Sequence, residues 1–177
     1  MAVKKNTPFK IILGSSSMAR RKILAEMGYE FTIMTADIDE KSIRKEKPQE
    51  LVMALAKAKA DAIVSRLQTE GYKDDDSCST TLLITADTTV VIGSVLVTNL
   101  RTGVQKGEWD RAEVYFHDIP NEVIDDLIEE GIVLNVSGAL MLEHPLTLPF
   151  VHTVVGDSDS IMGLSKTLTE KLIQEAL

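Results

Sequence analysis

The chain has 177 residues, 44% of them hydrophobic and 26% charged, with a net charge of −8 and a pI of about 4.9. That length suits one domain with a full core and is cramped for two. The acidic balance excludes a duplex-binding protein, which needs a basic face, so any phosphate site must be a local basic pocket helped by a divalent cation.

No apolar run approaches membrane length, and FKIILG is too short for a secretory signal core. The single cysteine, Cys78, can form no internal disulfide. Together these features lead to the expectation of a soluble, cytoplasmic protein with neither nucleic acid nor membrane as partner.

In chain order, Phe9–Leu13 reads as a short buried strand and Gly14–Ser17 as the loop leaving it. A helix follows from Met18 to Met27, with Gly28 placed to end it. Phe31–Thr35 is the next expected strand; it runs into the acidic turn Asp37–Glu40 and a charged loop, Lys41–Lys47. Pro48 opens the clearest helix, reaching about Leu67. Thr69–Thr81 is a polar loop, and Leu82–Ile84 a strand with Asp87 just past its end. Val95–Leu100 and Val104–Trp109 flank Arg101-Thr-Gly103 as a hairpin. Glu113–His117 is a further strand, Pro120–Glu130 a helix closed by Gly131, and Ser165–Ala176 a last helix after irregular apolar sequence. Early alternation of strands and helices, with strands clustered mid-chain, indicates an α/β fold on a mixed sheet.

Chemistry concentrates at a few positions. The strand–GSSS–helix junction brings Ser15, Ser17 and Arg20 together, a cradle for phosphate if backbone amides and hydroxyls converge. The Walker pattern GxxxxGK[ST] is absent. The same residues also read as a serine N-cap followed by solvent-facing arginines. On the long helix, Val52, Leu55, Ala56, Ile63 and Leu67 form one apolar face. Lys59 points into that face and Lys57 away. Lys59 either snorkels out or sits at a cleft floor for an anion. Asp87, beyond an apolar strand, reads as a metal ligand, a general base or a turn cap. Asp37, Asp39 and Glu40 read as a solvated charge run. His117, His144 and His152 lack metal-ligand spacing, and Trp109 reads as packing.

In this order the pieces resemble the Maf family of nucleoside triphosphate pyrophosphatases. SxSxxRR corresponds to Ser15-Ser-Ser17-Met-Ala-Arg20-Arg21, and the acidic DE to Asp39-Glu40. LAxxKA corresponds to Leu55-Ala-Lys-Ala-Lys59-Ala60, and ADT to Ala86-Asp87-Thr88. AEVYFHDIPNEVIDDLIEEG and GDSDSIMGLS resemble the family's later strand–helix and closing elements. The resemblance implies a two-lobed Maf/inosine-triphosphatase-like α/β fold, with an elongated mixed central sheet and a nucleotide-binding cleft. It implies hydrolysis of a nucleoside triphosphate to the monophosphate and pyrophosphate with Mg²⁺ or Mn²⁺, and, since members are often dimers, a homodimer. It makes Asp87 the proton acceptor for water, Glu40, Asp39 and Asp87 the metal ligands, and Arg20 and Lys59 the phosphate ligands. Ser15, Ser17, Thr88 and Glu143 fall on the substrate side.

Three departures stand out. Ala19 replaces the arginine tied to substrate choice. The segment usually reading AGAYGIQG is Ser137-Gly-Ala-Leu-Met-Leu-Glu143-His144, placing Glu143 where pyrimidine-triphosphate enzymes carry Gln. An acid there is more like the branch acting on 7-methyl-GTP. Finally, ADTTVV runs straight into IGSVLVTNL, so about two dozen residues near 91–94, including a GKP turn whose lysine contacts phosphates, are missing from an otherwise single domain over 1–177. Loss of a strand and helix removes burial worth about 1.5–3 kcal/mol per large side chain from a domain stable by about 5–15 kcal/mol. The expectation is a destabilised or weakly active product. The alternative function is an impaired relative that binds nucleotide or a partner without efficient turnover.

Overall fold

The computed structural model describes residues 4–72, 80–89, 92–135 and 140–177. Cys78, most of the 69–81 polar loop, and Ser137–Ala139 therefore lie outside the described residues.

The expected α/β architecture is present. A five-stranded sheet has the order β2-β1-β3-β4-β5, built from Phe9–Leu13 (β1), Thr32–Ile33 (β2), Thr80–Thr88 (β3), Ile92–Asn99 (β4) and Gln105–Arg111 (β5). β1 runs parallel to both β2 and β3, whereas β3–β4 and β4–β5 are antiparallel, so the sheet is mixed. Glu113–Phe116 (β6) and Val151–Val155 (β7) form a second, antiparallel pair. β7 falls in sequence expected to be irregular, and β2 is shorter than Phe31–Thr35. Asp87 lies within β3 rather than past its end, paired with Ser94.

Helices cover both faces of the main sheet. Met18–Glu26 (α1) is capped by Ser17, whose hydroxyl accepts from the Arg20 amide, and the chain turns out of it at Gly28. Pro48–Thr69 (α2) buries Val52, Leu55, Ala56, Ala60, Ile63 and Leu67, the apolar face read from helical spacing. Asn121–Glu130 (α3) ends at Gly131. Ser158–Ile161 (α4) is one short turn, and Lys166–Ala176 (α5) lays Leu168, Leu172 and Ile173 on the opposite sheet face beside Leu82, Ile84, Val95 and Val97.

Two hydroxyls seat α2 on the sheet. Thr85 Oγ1 donates to the Ala56 carbonyl at 2.8 Å, and Ser94 Oγ to that of Val52 at 2.9 Å. Both sites are buried, so each bond satisfies a hydroxyl of the sheet and fixes the height of α2 over β3 and β4. Gly14 permits the same close approach from β1. A Cβ there would lie 2.6 Å from Thr85 Cγ2 and 2.9 Å from Ile63 Cδ1.

The ladder is continuous where residues are missing relative to the resemblance. β3 and β4 pair as far as Thr88↔Gly93, and the Thr89 amide donates to the Ile92 carbonyl at 2.8 Å. The β3–β4 pairing thus reaches the residues on either side of 90–91, which lie outside the described residues.

At the other end, Glu170 on α5 accepts from Lys5 Nζ at 2.7 Å and Tyr29 Oη at 2.8 Å. Burial pushes the Glu170 carboxyl up, but these two donors outweigh it and leave the group below its ordinary 4.5. A depressed carboxylate stabilises the fold above its unfolded pKa, and this contribution is lost as pH falls through the folded value. The site is 42% exposed, so Glu170→Gln should cost only about 0.5–1 kcal/mol near neutrality. That difference should shrink as pH falls through the folded value; urea titrations at pH 7 and pH 3 compare the two.

Candidate active site

Parallel pairing decides where the site lies. β2, β1 and β3 run side by side in one direction, with Leu13 aligned to Ile33 and Ile84. Their carboxyl ends therefore open on one sheet edge, the usual ligand edge of an α/β sheet. Ser15–Arg20 leaves β1 there, Thr35–Glu40 leaves β2, and Asp87 stands near the end of β3. These segments line a cavity of about 540 Å³, with Lys59 of α2 and Met141 completing its wall. The volume suits a small organic ligand.

On the floor, Lys59 Nζ donates to Asp87 Oδ1 at 2.6 Å and lies 3.0 Å from Glu40 Oε1. The Lys59 and Asp87 side chains are each 12% exposed, whereas Glu40 is half-exposed at the rim. Lys57, two residues earlier, pairs with Asp61 outside. The lysine on the apolar stripe is thus the one carried into the cleft.

Arg20 lines the same cavity. Its Nε donates to the Gly163 carbonyl at 2.8 Å, one Nη to Thr88 Oγ1 at 3.1 Å and the other to Ser15 Oγ at 3.3 Å. Burial lowers its pKa, opposed by the charges of Asp87 and Glu40. Ser15 Oγ also accepts from the Ser17 amide at 3.2 Å, tightening the 14–17 loop. Arg21 is half-buried with its Nε lacking a partner among the described residues, so it does not face solvent freely.

Beyond Arg20 lies a second cavity of about 300 Å³, lined by Leu140, Met141, Leu142, Ile161 and Met162, with Glu143 among its walls. Ser17, Ala19, Arg20 and Met141 border both cavities. An elongated ligand with an anionic end and a flat apolar end fits this pairing. Glu143 meets Lys22 of α1 at 3.2 Å.

The structure therefore brings Arg20, Glu40, Lys59 and Asp87 into one cavity, with Ser15 and Ser17 on its wall. Thr88 and Glu143 border the second cavity. Asp39 stands apart: its Oδ1 accepts from the Lys41 amide, capping the 3₁₀ turn Glu40–Ser42. Trp109 is 48% exposed on β5 rather than packed in the core. The imidazoles of His117 and His152 meet edge to face across β6 and β7, and His144 Nε2 lies 2.9 Å from Glu130. None of the three lines either cavity. Sequence reasoning missed Gly163 as the anchor of Arg20, because the two are 143 residues apart.

A family model described as Maf-like protein matches residues 10–97 and, separately, 90–176. The chain belongs to the Maf family. Among curated relatives, a 7-methyl-GTP pyrophosphatase of Dictyostelium discoideum is 32% identical over 194 residues, covering 93% of this chain and 96% of the relative. A nucleoside triphosphate pyrophosphatase of Trichormus variabilis is 29% identical, over 97% of this chain and 94% of its own length. A dTTP/UTP pyrophosphatase of Moorella thermoacetica is 28% identical, over 93% of each. The 194-residue alignment exceeds the 177 residues of this chain, so that Maf relative has residues without a counterpart here. The two family matches overlap at 90–97, which includes the first residues of β4.

Proposed function

We propose that this chain is a nucleoside triphosphate pyrophosphatase, with the triphosphate in the Ser15–Asp87 cavity and the base in the Leu140–Met162 cavity. The carrying observation is the buried ammonium of Lys59 within reach of both Asp87 and Glu40, in a cavity that Arg20 also lines. Two cations lining one cavity hold a polyanion between them. In the proposed reaction Asp87 accepts a proton from water as its oxygen bonds to the α-phosphorus. The bond from that phosphorus to the α–β bridging oxygen breaks, and pyrophosphate leaves with that oxygen. Lys59 and Arg20 face the negative charge spread over the phosphoryl oxygens.

Asp87 and Glu40 fit a hard divalent cation, Mg²⁺ or Mn²⁺, since both offer carboxylate oxygens at one cavity. No cluster of three metal-ligating side chains occurs among the described residues, which suits an ion completed by water and phosphate oxygens. Bound there, it would neutralise part of the triphosphate charge. The proposal leaves Asp39 as a cap beside that site and makes residues 1–177 one domain shortened near 91–94.

For the base, Glu143 supports 7-methyl-GTP, because methylation at N7 gives guanine a positive charge and a carboxylate favours a cation over the neutral bases. Pyrophosphate release over UTP, dTTP, CTP, GTP and 7-methyl-GTP tests both levels of the proposal. We expect 7-methyl-GTP to be preferred and Glu143→Gln to reduce its advantage over GTP roughly tenfold, the scale of one charge-assisted contact. An unchanged ratio would remove Glu143 from base recognition.

The two-part family match supports a second reading, a protein that binds triphosphate without efficient turnover because a phosphate-contacting segment is missing. Calorimetric binding of a non-hydrolysable triphosphate, with no pyrophosphate released from the natural one, would select it.

A further inference from the structure

We infer that Asp110 is a positioning residue for this site, holding Arg20 in place through Ser160 and Gly163. The inference rests on the proposed role of Arg20 as a phosphate ligand. Asp110 lies on β5, opposite Gly93, and lines neither cavity. Its Oδ2 accepts from Ser160 Oγ at 2.6 Å. Its Oδ1 is buried, with no hydrogen-bond partner among the described residues, and faces Gly93, where a Cβ would lie 3.2 Å away.

A carboxylate oxygen left in this way is costly, so the bond its other oxygen makes is the feature to explain. Ser160 is 4% exposed and is the buried residue of the short α4, which Asp159 also ties to the start of α5 through the Lys166 amide. Beyond it the Gly163 amide donates to the Ser160 and Asp159 carbonyls at 3.1 and 3.0 Å. Gly163 has φ +113, a conformation that side-chain-bearing residues rarely adopt. That backbone turn presents the Gly163 carbonyl to Arg20 Nε at 2.8 Å, and the same guanidinium then reaches Thr88 and Ser15. Asp110 on the sheet, the α4 turn and Arg20 on α1 thus form one connected network. Its effect is to hold Arg20 against Gly163, Thr88 and Ser15, so the guanidinium is oriented before substrate arrives and less ordering is needed on binding.

The test is a mutant cycle on the full chain. Asp110→Ala and Ser160→Ala should each lower kcat/KM roughly tenfold, mostly through KM, as expected for members of one hydrogen-bonded network. Together they should cost no more than either alone. In an Arg20→Ala background Asp110→Ala should have no further effect. Asp110→Asn, whose amide oxygen still accepts from Ser160, should restore most of the activity. Should the Asp110→Ala chain fail to fold, Ser160→Ala carries the same cycle. A lowered melting temperature with unchanged kcat/KM, or an equal loss with and without Arg20, would overturn the inference.

If the parent chain releases no pyrophosphate at all, the proposed activity fails and the inference is judged by NMR of the Arg20 Nε–H. Protection from solvent exchange in the parent, lost on Asp110→Ala or Ser160→Ala, upholds the positioning role. The same exchange rate in all three chains refutes it.

Discussion

Asp87→Asn is expected to lower pyrophosphate release by about 10³-fold, within the span ascribed to one general base, while the chain stays folded. The substitution preserves shape, and an amide oxygen can still accept from Lys59 Nζ, now 2.6 Å from Asp87 Oδ1. The ammonium keeps Glu40 at 3.0 Å as a counter-charge, so the exchange does not strand a buried cation. Asp87 also lies inside the β3–β4 ladder opposite Ser94, and its backbone contributes to pairing whatever its side chain. A loss of about 1–3 kcal/mol in stability is the expected ceiling, that of one charge-assisted hydrogen bond. Pyrophosphate release and thermal unfolding, followed on the same preparations, separate chemistry from folding. Turnover within tenfold of the parent would mean that Asp87 is not the proton acceptor.

Much of this site is legible in the sequence because two of its parts are local. The apolar stripe of α2 fixes the direction of Lys59 by helical geometry alone, and the stripe is buried as read. The apolar run Phe9–Leu13 followed by Gly14 marks β1 and its exit. Where local signals end, the reading weakens. Thr85, Asp87 and Thr88 look polar, so the expected strand stops at Ile84. Yet β3 continues through Thr88 because β4 pairs with it and Thr85 bonds to α2. The β7 strand Val151–Val155 follows a Leu-Pro-Phe turn and gains its identity only from pairing with β6, a non-local contact. The Asp110–Ser160 bond spans 50 residues and leaves no periodic trace.

Near 91–94, where the family resemblance implies a missing segment, the two flanking strands are still paired. β3 and β4 are antiparallel neighbours, paired as far as Thr88 and Gly93. Both sheet faces keep their helices, α2 on one and α5 on the other, with Leu83, Leu96, Val95 and Val97 buried between the layers. The sequence contains no GKP, whose lysine the family resemblance assigns to phosphate, so the proposed function has Lys59 and Arg20 as its phosphate-facing cations.

Lys59→Met is therefore expected to have the second largest effect, a fall in turnover of about 10²–10³-fold, the scale of losing one preorganised charge contact in a water-poor site. The stability effect should be the larger of the two substitutions. Methionine fills the stem of the lysine along the apolar stripe, but Asp87, 12% exposed, loses its ammonium while Glu40 stays near. Removing one partner of a buried pair costs about 3–5 kcal/mol, and the like charge of Glu40 does nothing to lower it. Lys59→Arg should recover little, because a planar guanidinium cannot place one compact charge between two carboxylates as an ammonium does. Added Mg²⁺ provides a further readout, since a divalent cation between Asp87 and Glu40 would replace the missing charge and raise the melting temperature of Lys59→Met more than that of the parent. A melting temperature equally insensitive to Mg²⁺ in both chains would remove these two carboxylates as the cation's holders. Turnover near the parent level in Lys59→Met would remove the lysine from the phosphate site.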